Sequence, residues 1–476
     1  MKKLSLIILT GILVLGFVVR LYRLNNPIAD WHEWRQADTS AVSRNFVDQG
    51  FDILHPKFDD LSNVASGLDN PMGYRFVEFP LYNIAQAGLF EVFHTLTLEE
   101  WGRIVSIIAS TFSSLFIFLI VKRKANTQAA LISSFFFSLL PFSIYYGRVI
   151  LPDPSMVATI LGGIYFLDLF LESENKKKWI YFTVSLVLTS ASLLLKPYAL
   201  FFALPMACLV FDKYGIGLLK KWYLWIFLII SILPLALWRE WMTKYPEGIP
   251  VSDWLFNQGN IRFKGAFFYW IFGDRLSRLI LGYFGIFPFL LGFLAKLKKQ
   301  NLFFFLSFAV ASLAYVTILA AGNVQHDYYQ ILIIPTIAIF AGLGGDLLLK
   351  YETFKYIKYP MFLAVISLSL FLGWYFVRDY FDIDNPSIVI AGQIIDQITP
   401  KDSKVIADYG GDTAFLYQTD RKGWASQEKP IPDMVNLGAD YLAEVNPTQK
   451  DFFLKDDYKI VYSSDKLLLY DLHQKP

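Results

Sequence analysis

The densest cluster of reactive side chains in this 476-residue chain lies near its start, between residues 30 and 39. It contains three carboxylates, one imidazole and one guanidinium, on Asp30, His32, Glu33, Arg35 and Asp38. Crowding and burial raise the pKa of a carboxyl group, whereas a neighbouring cation favours its ionised form. A carboxylate adjusted in this way can act as a general base near neutral pH. The same ligands suit a hard divalent cation, and the ordinary alternative is an interfacial loop anchored by its tryptophans.

Other polar residues stand at the predicted ends of apolar runs. Arg148 and Asp153 share one turn, Lys196 lies in a second, and His326 and Tyr329 lie in a third. Cationic donors at three helix ends predict a cradle for a phosphate group at the height of the lipid headgroups. The alternatives are a helix cap for Asp153, interfacial anchors for the cations, and an aromatic belt for Tyr329.

The composition indicates which elements carry these residues. Charged residues make up 18% of the chain and hydrophobic residues 55%, whereas a typical soluble protein has about 25% charged residues. This balance excludes a disordered chain, a coiled coil and an ordinary soluble enzyme. The single cysteine excludes a disulfide framework, and the net charge of +2 provides no electrostatic footprint for nucleic acid. We therefore expect a membrane protein with no nucleic-acid partner.

Eleven apolar runs approach the length that spans a hydrocarbon core about 30 Å thick. The fourth run must continue past Asp168 to cross. The runs are residues 4–19, 104–121, 125–147, 154–167, 179–195, 197–211, 222–238, 279–295, 300–325, 328–345 and 359–377.

The basic residues between the runs predict the orientation. If the N-terminus is inside, the inner segments hold 17 lysines and arginines, and the short outer loops hold only Arg148 and Lys196. The positive-inside rule therefore predicts a multi-pass protein of the cytoplasmic (inner) membrane with a cytoplasmic N-terminus. The first run is expected to be an uncleaved helix. Residues 79–98 are predicted to form a helix along the outer membrane surface.

Three large segments then lie outside: residues 20–103, 239–278 and 378–476. Residues 1–377 are predicted to form a transmembrane catalytic domain. Residues 378–476 are predicted to form a small extracytoplasmic α/β domain, because short apolar stretches alternate with turns and residues 386–398 have helical spacing. The turn at residues 408–412, with the sequence DYGGD, either recognises an acceptor or is an ordinary connection.

The motifs resemble those of the GT-C glycosyltransferases, particularly the protein O-mannosyltransferases and the aminoarabinose transferases of lipid A. Residues 32–39 match the H-x-W-R-Q-x-x-T pattern of a bacterial branch, and Glu78 begins a stretch similar to the E-x-P motif at the loop exit. The turns around Arg148, Lys196 and His326 resemble later motifs in the same order. The chain differs where relatives have adjacent Asp-Glu, because His32 stands before Glu33 here.

The resemblance implies a polytopic α-helical GT-C fold with about eleven transmembrane helices, and a reaction on the extracytoplasmic face. A hexosyl or pentosyl group moves from a polyprenyl-phosphate donor to an acceptor lipid, glycan or protein of the cell envelope, as in lipopolysaccharide or protein modification. A first-loop carboxylate is the base: Glu33 by motif position, then Asp38, then Asp30. The resemblance implies no definite cofactor and leaves the use of a metal open; a divalent cation, if one is used, binds Glu33, Asp38 and His32. The expected substrate-binding residues are His32, Arg35, Glu78, Arg148, Asp153, Lys196, His326 and Tyr329.

Two other functions are consistent with a polytopic membrane protein. A transporter or flippase of lipid-linked glycans predicts charges along a central pathway, whereas here the polar residues gather at one set of helix ends. A non-catalytic assembly protein predicts that changes within residues 31–39 leave the biochemistry intact. An assay of sugar transfer distinguishes both from a glycosyltransferase.

Overall fold

The computed structural model describes residues 2–352 and 356–476. Lys355, one of the basic residues of the last predicted inner loop, lies outside them. The described residues form helices α1 Lys2–Arg20, α2 Glu33–Gln49, α3 Leu81–Phe93, α4 Leu98–Lys124, α5 Thr127–Leu139, α6 Pro141–Tyr146, α7 Asp153–Glu172, α8 Lys178–Leu195, α9 Ala203–Tyr214, α10 Trp222–Met242, α11 Trp254–Asn257, α12 Gly265–Phe268, α13 Ile286–Gly292, α14 Lys299–Ile318, α15 Ala320–Gln325, α16 Ile334–Lys350, α17 Lys358–Val377, α18 Pro386–Ile398, α19 Thr413–Gln418 and α20 Ile431–Asn436. The strands are β1 Lys404–Asp408, β2 Lys422–Trp424, β3 Tyr441–Val445, β4 Lys459–Ser463 and β5 Leu467–Asp471.

Residue contacts divide the chain into two compact units. The first, named the helical unit, comprises the residues up to Tyr22 together with Ile104–Trp238 and Ser252–Asp379. The second, named the loop–tail unit, comprises Arg23–Arg103, Arg239–Val251 and Tyr380–Pro476. The first predicted outer loop thus shares a unit with the tail. The domain boundary between residues 377 and 378 remains a prediction.

Nine helical segments of the described ranges are long and apolar enough to cross a membrane, and the polytopic helical fold is confirmed. Apolar residues cover much of their outer surface, as lipid-facing helices require. The fourth predicted run does continue past Asp168, because α7 ends only at Glu172. The nine segments are Lys3–Arg20, Leu98–Lys124, Asp153–Glu172, Lys178–Leu195, Pro197–Lys220, Trp222–Met242, Lys299–Ile318, Asp327–Lys350 and Lys358–Ile398.

Two of the eleven predicted runs are not single helices of spanning length. Residues 125–147 are divided between α5 and α6 at Pro141, whose ring removes a backbone donor and interrupts a helix. Residues 279–295 are divided between a π-helical segment, Tyr269–Ile280, and the short α13. Gly282 breaks the run there with φ 50°. An added Cβ at Gly282 would lie 2.1 Å from the carbonyl oxygen of Ser369.

Helix α16 is buried along most of its length and packs through small residues. A Cβ added at Gly342 would lie 1.9 Å from Ser133 Oγ, and one at Gly344 would lie 1.8 Å from the carbonyl oxygen of Pro288. Membrane helices associate by such close backbone approach, because lipid provides no hydrophobic force to bring them together. The glycines therefore fix α16 against α5 and α13.

The tail forms a five-stranded sheet in the order β2-β1-β3-β5-β4. Strands β2, β1 and β3 are parallel, and β5 is antiparallel to both β3 and β4. Parallel neighbours need crossover connections, and the chain supplies α19 between β1 and β2 and α20 between β2 and β3. Ile406, Leu442 and Tyr470 are fully buried in the core of this sheet. The predicted α/β character of the tail is confirmed.

Residues 79–98 contain one complete helix, α3, of 13 residues, and Leu98 begins α4. This length is below the ~17 residues that a spanning helix needs, and α3 is not among the candidate spans. Its position along the outer membrane surface remains a prediction.

Candidate active site

The acidic cluster of the loop–tail unit is built around the beginning of α2. Glu33 is the first residue of this helix and is 6% exposed. His32, directly before it, has the left-handed conformation φ 58°, ψ 40°, which turns the chain into the helix. A carboxylate in the first turn of a helix is stabilised by the helix dipole. The local chain path thus places one carboxylate at a buried helix start.

Glu33 occupies an environment that favours its protonated form. Its Oε2 is buried and accepts no hydrogen bond. Burial raises the pKa of Glu33 to about 8, and the negative charges of Asp412, Asp384 and Asp30 add to the rise. A hydrogen bond with the Tyr409 hydroxyl opposes it. A carboxyl group with this pKa can accept a proton in the neutral to mildly alkaline range.

Asp412 comes from the tail, where it caps the N-terminus of α19. Its carboxylate accepts a hydrogen bond from the Ala414 amide at 2.8 Å. Burial raises the pKa of Asp412 to about 6, while this hydrogen bond acts in the opposite direction. Asp412 is therefore charged over the pH range in which Glu33 titrates.

Both carboxylate oxygens of Asp38 are engaged by neighbouring side chains. The Arg75 guanidinium forms an ion pair with Oδ2, and the Thr413 hydroxyl donates to Oδ1 at 2.7 Å. Asp30 accepts a hydrogen bond from the Gln36 side chain at 2.7 Å. Among the three carboxylates predicted as bases, Glu33 is the one with a buried oxygen that lacks a hydrogen-bond partner.

Arg35 and Glu78, both predicted to bind substrate, form a buried ion pair with each other. Arg35 Nη2 lies 2.7 Å from Glu78 Oε1, and the side chains are 7% and 14% exposed. This pair ties the beginning of α2 to the predicted loop exit. Their substrate-binding role remains a prediction.

The hypothesised cation ligands are not arranged as a metal site. Within residues 2–352 and 356–476, no group of three or more His, Cys, Asp or Glu side chains could hold a metal ion. Both oxygens of Asp38 are already engaged by Arg75 and Thr413. The set of Glu33, Asp38 and His32 therefore does not fit a divalent cation.

The helical unit contains a second cluster, centred on Lys196. The Lys196 ammonium lies 3.1 Å from Asp153 Oδ2, and both side chains are 5% exposed. Three tyrosine rings surround it, with centroids 5.8 Å away for Tyr198, 5.6 Å for Tyr328 and 5.8 Å for Tyr329. Aromatic faces stabilise a desolvated cation. Three of the predicted residues, Asp153, Lys196 and Tyr329, are thus brought together.

His326 adjoins this cluster through its aromatic neighbours. Its ring stacks on Tyr328 with centroids 5.6 Å apart, and the Trp254 ring contacts it edge-on at 5.8 Å. The Tyr146 hydroxyl donates a short hydrogen bond to Asp327, which fixes the turn after His326. The imidazole is therefore held by packing beside the Lys196 cluster.

Arg148 is anchored by the backbone of the helical unit. The residue is 1% exposed, and its Nη1 donates to the Tyr22 carbonyl at 2.6 Å. A guanidinium fixed in this way is positioned by the end of the first membrane helix. Its predicted contact with a phosphate group remains a prediction.

The sequence did not identify four residues that contact the acidic cluster. Tyr409 and Asp412 belong to the DYGGD turn, for which the sequence predicts either an acceptor contact or an ordinary connection. Arg75 and Thr413 belong to none of the motifs that we identify in the sequence. The single available signal was the pair of adjacent glycines in the turn, Gly410 and Gly411, whose positive φ values allow a tight bend.

Residues 77–241 match the family described as dolichyl-phosphate-mannose-protein mannosyltransferase. A search of curated protein sequences finds no significant match. The matched segment runs from the first-loop exit to the last turn of α10. It therefore includes Glu78, Arg148, Asp153 and Lys196.

Solved structures resemble the chain over nearly its full length. ArnT from Cupriavidus metallidurans bound to undecaprenyl phosphate is 11% identical, with a TM-score of 0.69 and 97% of each chain covered. The oligosaccharyltransferase AglB from Archaeoglobus fulgidus, in complex with an inhibitory peptide and a dolichol-phosphate, is 9% identical, with a TM-score of 0.57, and the match covers 91% of this chain and 69% of that one. The arabinofuranosyltransferase AftD from Mycobacteria is 9% identical, with a TM-score of 0.53. The match covers 98% of this chain and 41% of that one. The chain has the GT-C fold of these membrane proteins.

Proposed function

We propose that this protein is an integral-membrane glycosyltransferase that transfers a hexosyl or pentosyl group from a polyprenyl-phosphate donor to an acceptor lipid, glycan or protein. The observation that carries the proposal is Glu33: a buried carboxyl at a helix start, with one oxygen that accepts no hydrogen bond. A structural carboxylate in a buried position is normally fully hydrogen-bonded. The GT-C fold and the mannosyltransferase match over residues 77–241 support this class of reaction.

In the proposed reaction, Glu33 acts as the general base. Ionised Glu33 accepts the proton of the acceptor hydroxyl as that oxygen forms a bond to the anomeric carbon of the donor sugar. The bond between this carbon and the phosphate oxygen breaks, and the electron pair leaves with the polyprenyl phosphate. Asp412 and Tyr409 act through Glu33: the charge of Asp412 raises its pKa above the effect of burial, and the hydrogen bond from Tyr409 lowers it.

The Lys196 cluster is the proposed site for the departing phosphate. The ammonium is buried between Asp153 and the rings of Tyr198, Tyr328 and Tyr329. A preorganised cation of low exposure stabilises a developing negative charge far better than one in water. The solved relatives with undecaprenyl phosphate and dolichol-phosphate bound support a lipid-phosphate donor for this chain.

The reaction is proposed to occur on the extracytoplasmic face of the cytoplasmic membrane. The positive-inside bias supports a cytoplasmic N-terminus and an external tail. A reporter fused after residue 384 is expected to be active outside the membrane. Reporter activity in the cytoplasm would contradict the orientation.

The experiment that tests the proposed reaction uses the purified full-length chain in vesicles with polyprenyl-phosphate hexose or pentose carrying a labelled sugar. Membrane lipid extract, cell-wall glycan and membrane protein are supplied separately as acceptors. Release of free polyprenyl phosphate with transfer of label to one acceptor class is expected. Movement of intact donor between leaflets without cleavage would contradict the proposal and favour a flippase.

A further inference from the structure

A charged groove lies in the loop–tail unit, away from the acidic cluster. It encloses a cavity of about 270 Å³ between the later turns of α2 and the strand ends of the tail. Its lining includes Arg44 from α2 and four cationic residues of the tail: Lys401, Lys404, Arg421 and Lys422. No role in the proposed reaction uses these residues.

Arg44 is neutralised by its own neighbours. It forms ion pairs with Asp59 at 2.5 Å and Asp420 at 3.1 Å, and it lies over the Tyr417 ring. These partners fix one wall of the groove. They leave Arg44 with little positive charge to offer a ligand.

Lys401 and Arg421 are neutralised in the same way. Lys401 pairs with Asp396 and with Asp420, and Arg421 Nη1 lies 2.7 Å from Asp396 Oδ1. Three of the five cationic residues of the groove, Arg44, Lys401 and Arg421, therefore already form ion pairs with aspartates of the protein.

Lys404 and Lys422 are different. They stand directly opposite each other in the parallel register of β1 and β2, so their side chains share one face of the sheet. Both are half-buried, and in the described part of the chain neither ammonium group lies within 4 Å of a carboxylate. Like charges directly opposite each other destabilise a sheet. A bound anion would remove that repulsion.

The surroundings of Lys422 agree with this interpretation. Burial is the main effect that lowers the pKa of Lys422, and the ammonium groups of Lys57 and Lys404 lower it further. Asp59 and Asp48 act in the opposite direction, but Asp59 is already paired with Arg44 and hydrogen-bonded to Asn45.

We propose that Lys404 and Lys422 bind a phosphate monoester carried by the acceptor. Phosphate offers several strong acceptor oxygens and can receive charge-assisted hydrogen bonds from more than one ammonium group. The cavity is large enough for a phosphorylated sugar unit and is small for a protein segment. The ligand is thus a phosphorylated glycan or a phosphorylated lipid headgroup.

The groove and Glu33 are positioned by the same helix, so a phosphate in the groove could hold an acceptor for transfer. This part of the inference rests on the proposed function. Glu33 and Arg44 lie on the same helix, eleven residues apart, which is close to three turns and about 16 Å. They therefore project from the same side of α2. Helix α19 covers α2 between them, because Tyr417 is hydrogen-bonded to both Ser40 and Arg44. An acceptor with its phosphate in the groove would therefore reach Glu33 around α19.

Binding is tested without donor, so that it is independent of catalysis. The full-length protein in detergent is titrated calorimetrically with glucose 1-phosphate, with unphosphorylated glucose as the neutral control. We expect binding of glucose 1-phosphate only, and at least about tenfold weaker binding by the double variant Lys404→Gln/Lys422→Gln. Lys455→Gln, an exposed tail lysine, should bind as the wild type does. Lys404→Arg/Lys422→Arg should restore binding, which a folding defect would prevent.

A second measurement distinguishes the two sources of the phosphate. Retention of the protein on nanodiscs that contain phosphatidic acid is compared between the wild type and the glutamine double variant. Loss of retention, with no binding of glucose 1-phosphate, assigns the site to a lipid headgroup. Equal behaviour of the wild type and the double variant towards both probes overturns the proposal. If the groove binds phosphate but no sugar is transferred, the proposed function alone fails.

Discussion

Glu33 illustrates how far single residues can be interpreted from their neighbours in sequence. The crowd of charges at residues 30–38 indicated a carboxyl with a shifted pKa. Burial is the main cause of the shift. Asp412 and Tyr409, two of the residues that contribute to it, come from the tail, and no pattern in the sequence links them to α2. Asp38, predicted as the second candidate base, instead has both oxygens engaged by Arg75 and Thr413.

The pH dependence of transfer tests this interpretation of Glu33. Because the base works in its ionised form, kcat/KM should rise with pH through an apparent pKa of about 8. Asp412→Asn removes a negative charge that raises this pKa, so the rising limb should move to lower pH. The exposed Asp433→Asn should leave the profile unchanged. A profile that is the same in the wild type and Asp412→Asn would refute the coupling.

Replacement of Lys196 tests the proposed phosphate site. Lys196→Gln should lower kcat by about 100-fold, the typical effect of removing one donor that stabilises a transition-state anion. Lys196→Arg should retain more activity because it keeps the charge. Steady-state release of polyprenyl phosphate measures both variants, and the exposed Lys213→Gln is the control. Full activity of Lys196→Gln would exclude this residue from the phosphate site.

At the scale of elements, long apolar runs predicted most of the spanning helices well. The interruptions in two runs were missed, because the runs were predicted from the length of segments without charged residues. That criterion does not detect a helix break at Pro141 or at Gly282, which has a left-handed conformation. The docking of α19 on α2 was also beyond prediction. It depends on side-chain hydrogen bonds, from Thr413 to Asp38 and between Tyr417 and Ser40, that join distant parts of the chain.

Thr413 provides a test of this docking. Thr413→Val removes the hydrogen bonds to Asp38 and to the Trp34 carbonyl. Leaving a buried charged acceptor with one partner fewer costs about 1–3 kcal/mol, so the Tm should fall and transfer should slow. Thermal unfolding and kcat measure the two effects, with the exposed Thr95→Val as the control. An unchanged Tm would show that the contact contributes nothing to the loop–tail unit.

The packing of α16 gives a second test at this scale. Gly344→Ala places a methyl group 1.8 Å from the Pro288 carbonyl position, so the helices must separate. We expect a loss of stability of about 1–3 kcal/mol, as for other overpacked cores, measured as a lower Tm in detergent. Gly11→Ala in α1 meets no atom within 4 Å and should not destabilise. Equal Tm values for the two variants would contradict the close packing.

At the scale of the whole molecule, composition and the spacing of apolar runs were sufficient to predict a polytopic membrane fold with an α/β tail. The union of the first outer loop with the tail in one compact unit was not predictable, because it arises from contacts between segments separated by most of the chain. The acidic cluster lies in this loop–tail unit, and the Lys196 cluster lies in the helical unit. The proposed reaction assigns the proton of the acceptor to the first and the departing phosphate to the second.

The most direct test of the role proposed for Glu33 is the single-turnover rate of sugar transfer by Glu33→Gln in the full-length protein, with donor binding measured in parallel. Glu33→Gln removes the base and leaves the Lys196 cluster intact. Transfer should fall by at least about 100-fold while donor affinity remains within about twofold, and Glu91→Gln should behave as the wild type. Transfer at the wild-type rate by Glu33→Gln would contradict the proposed role of this carboxylate.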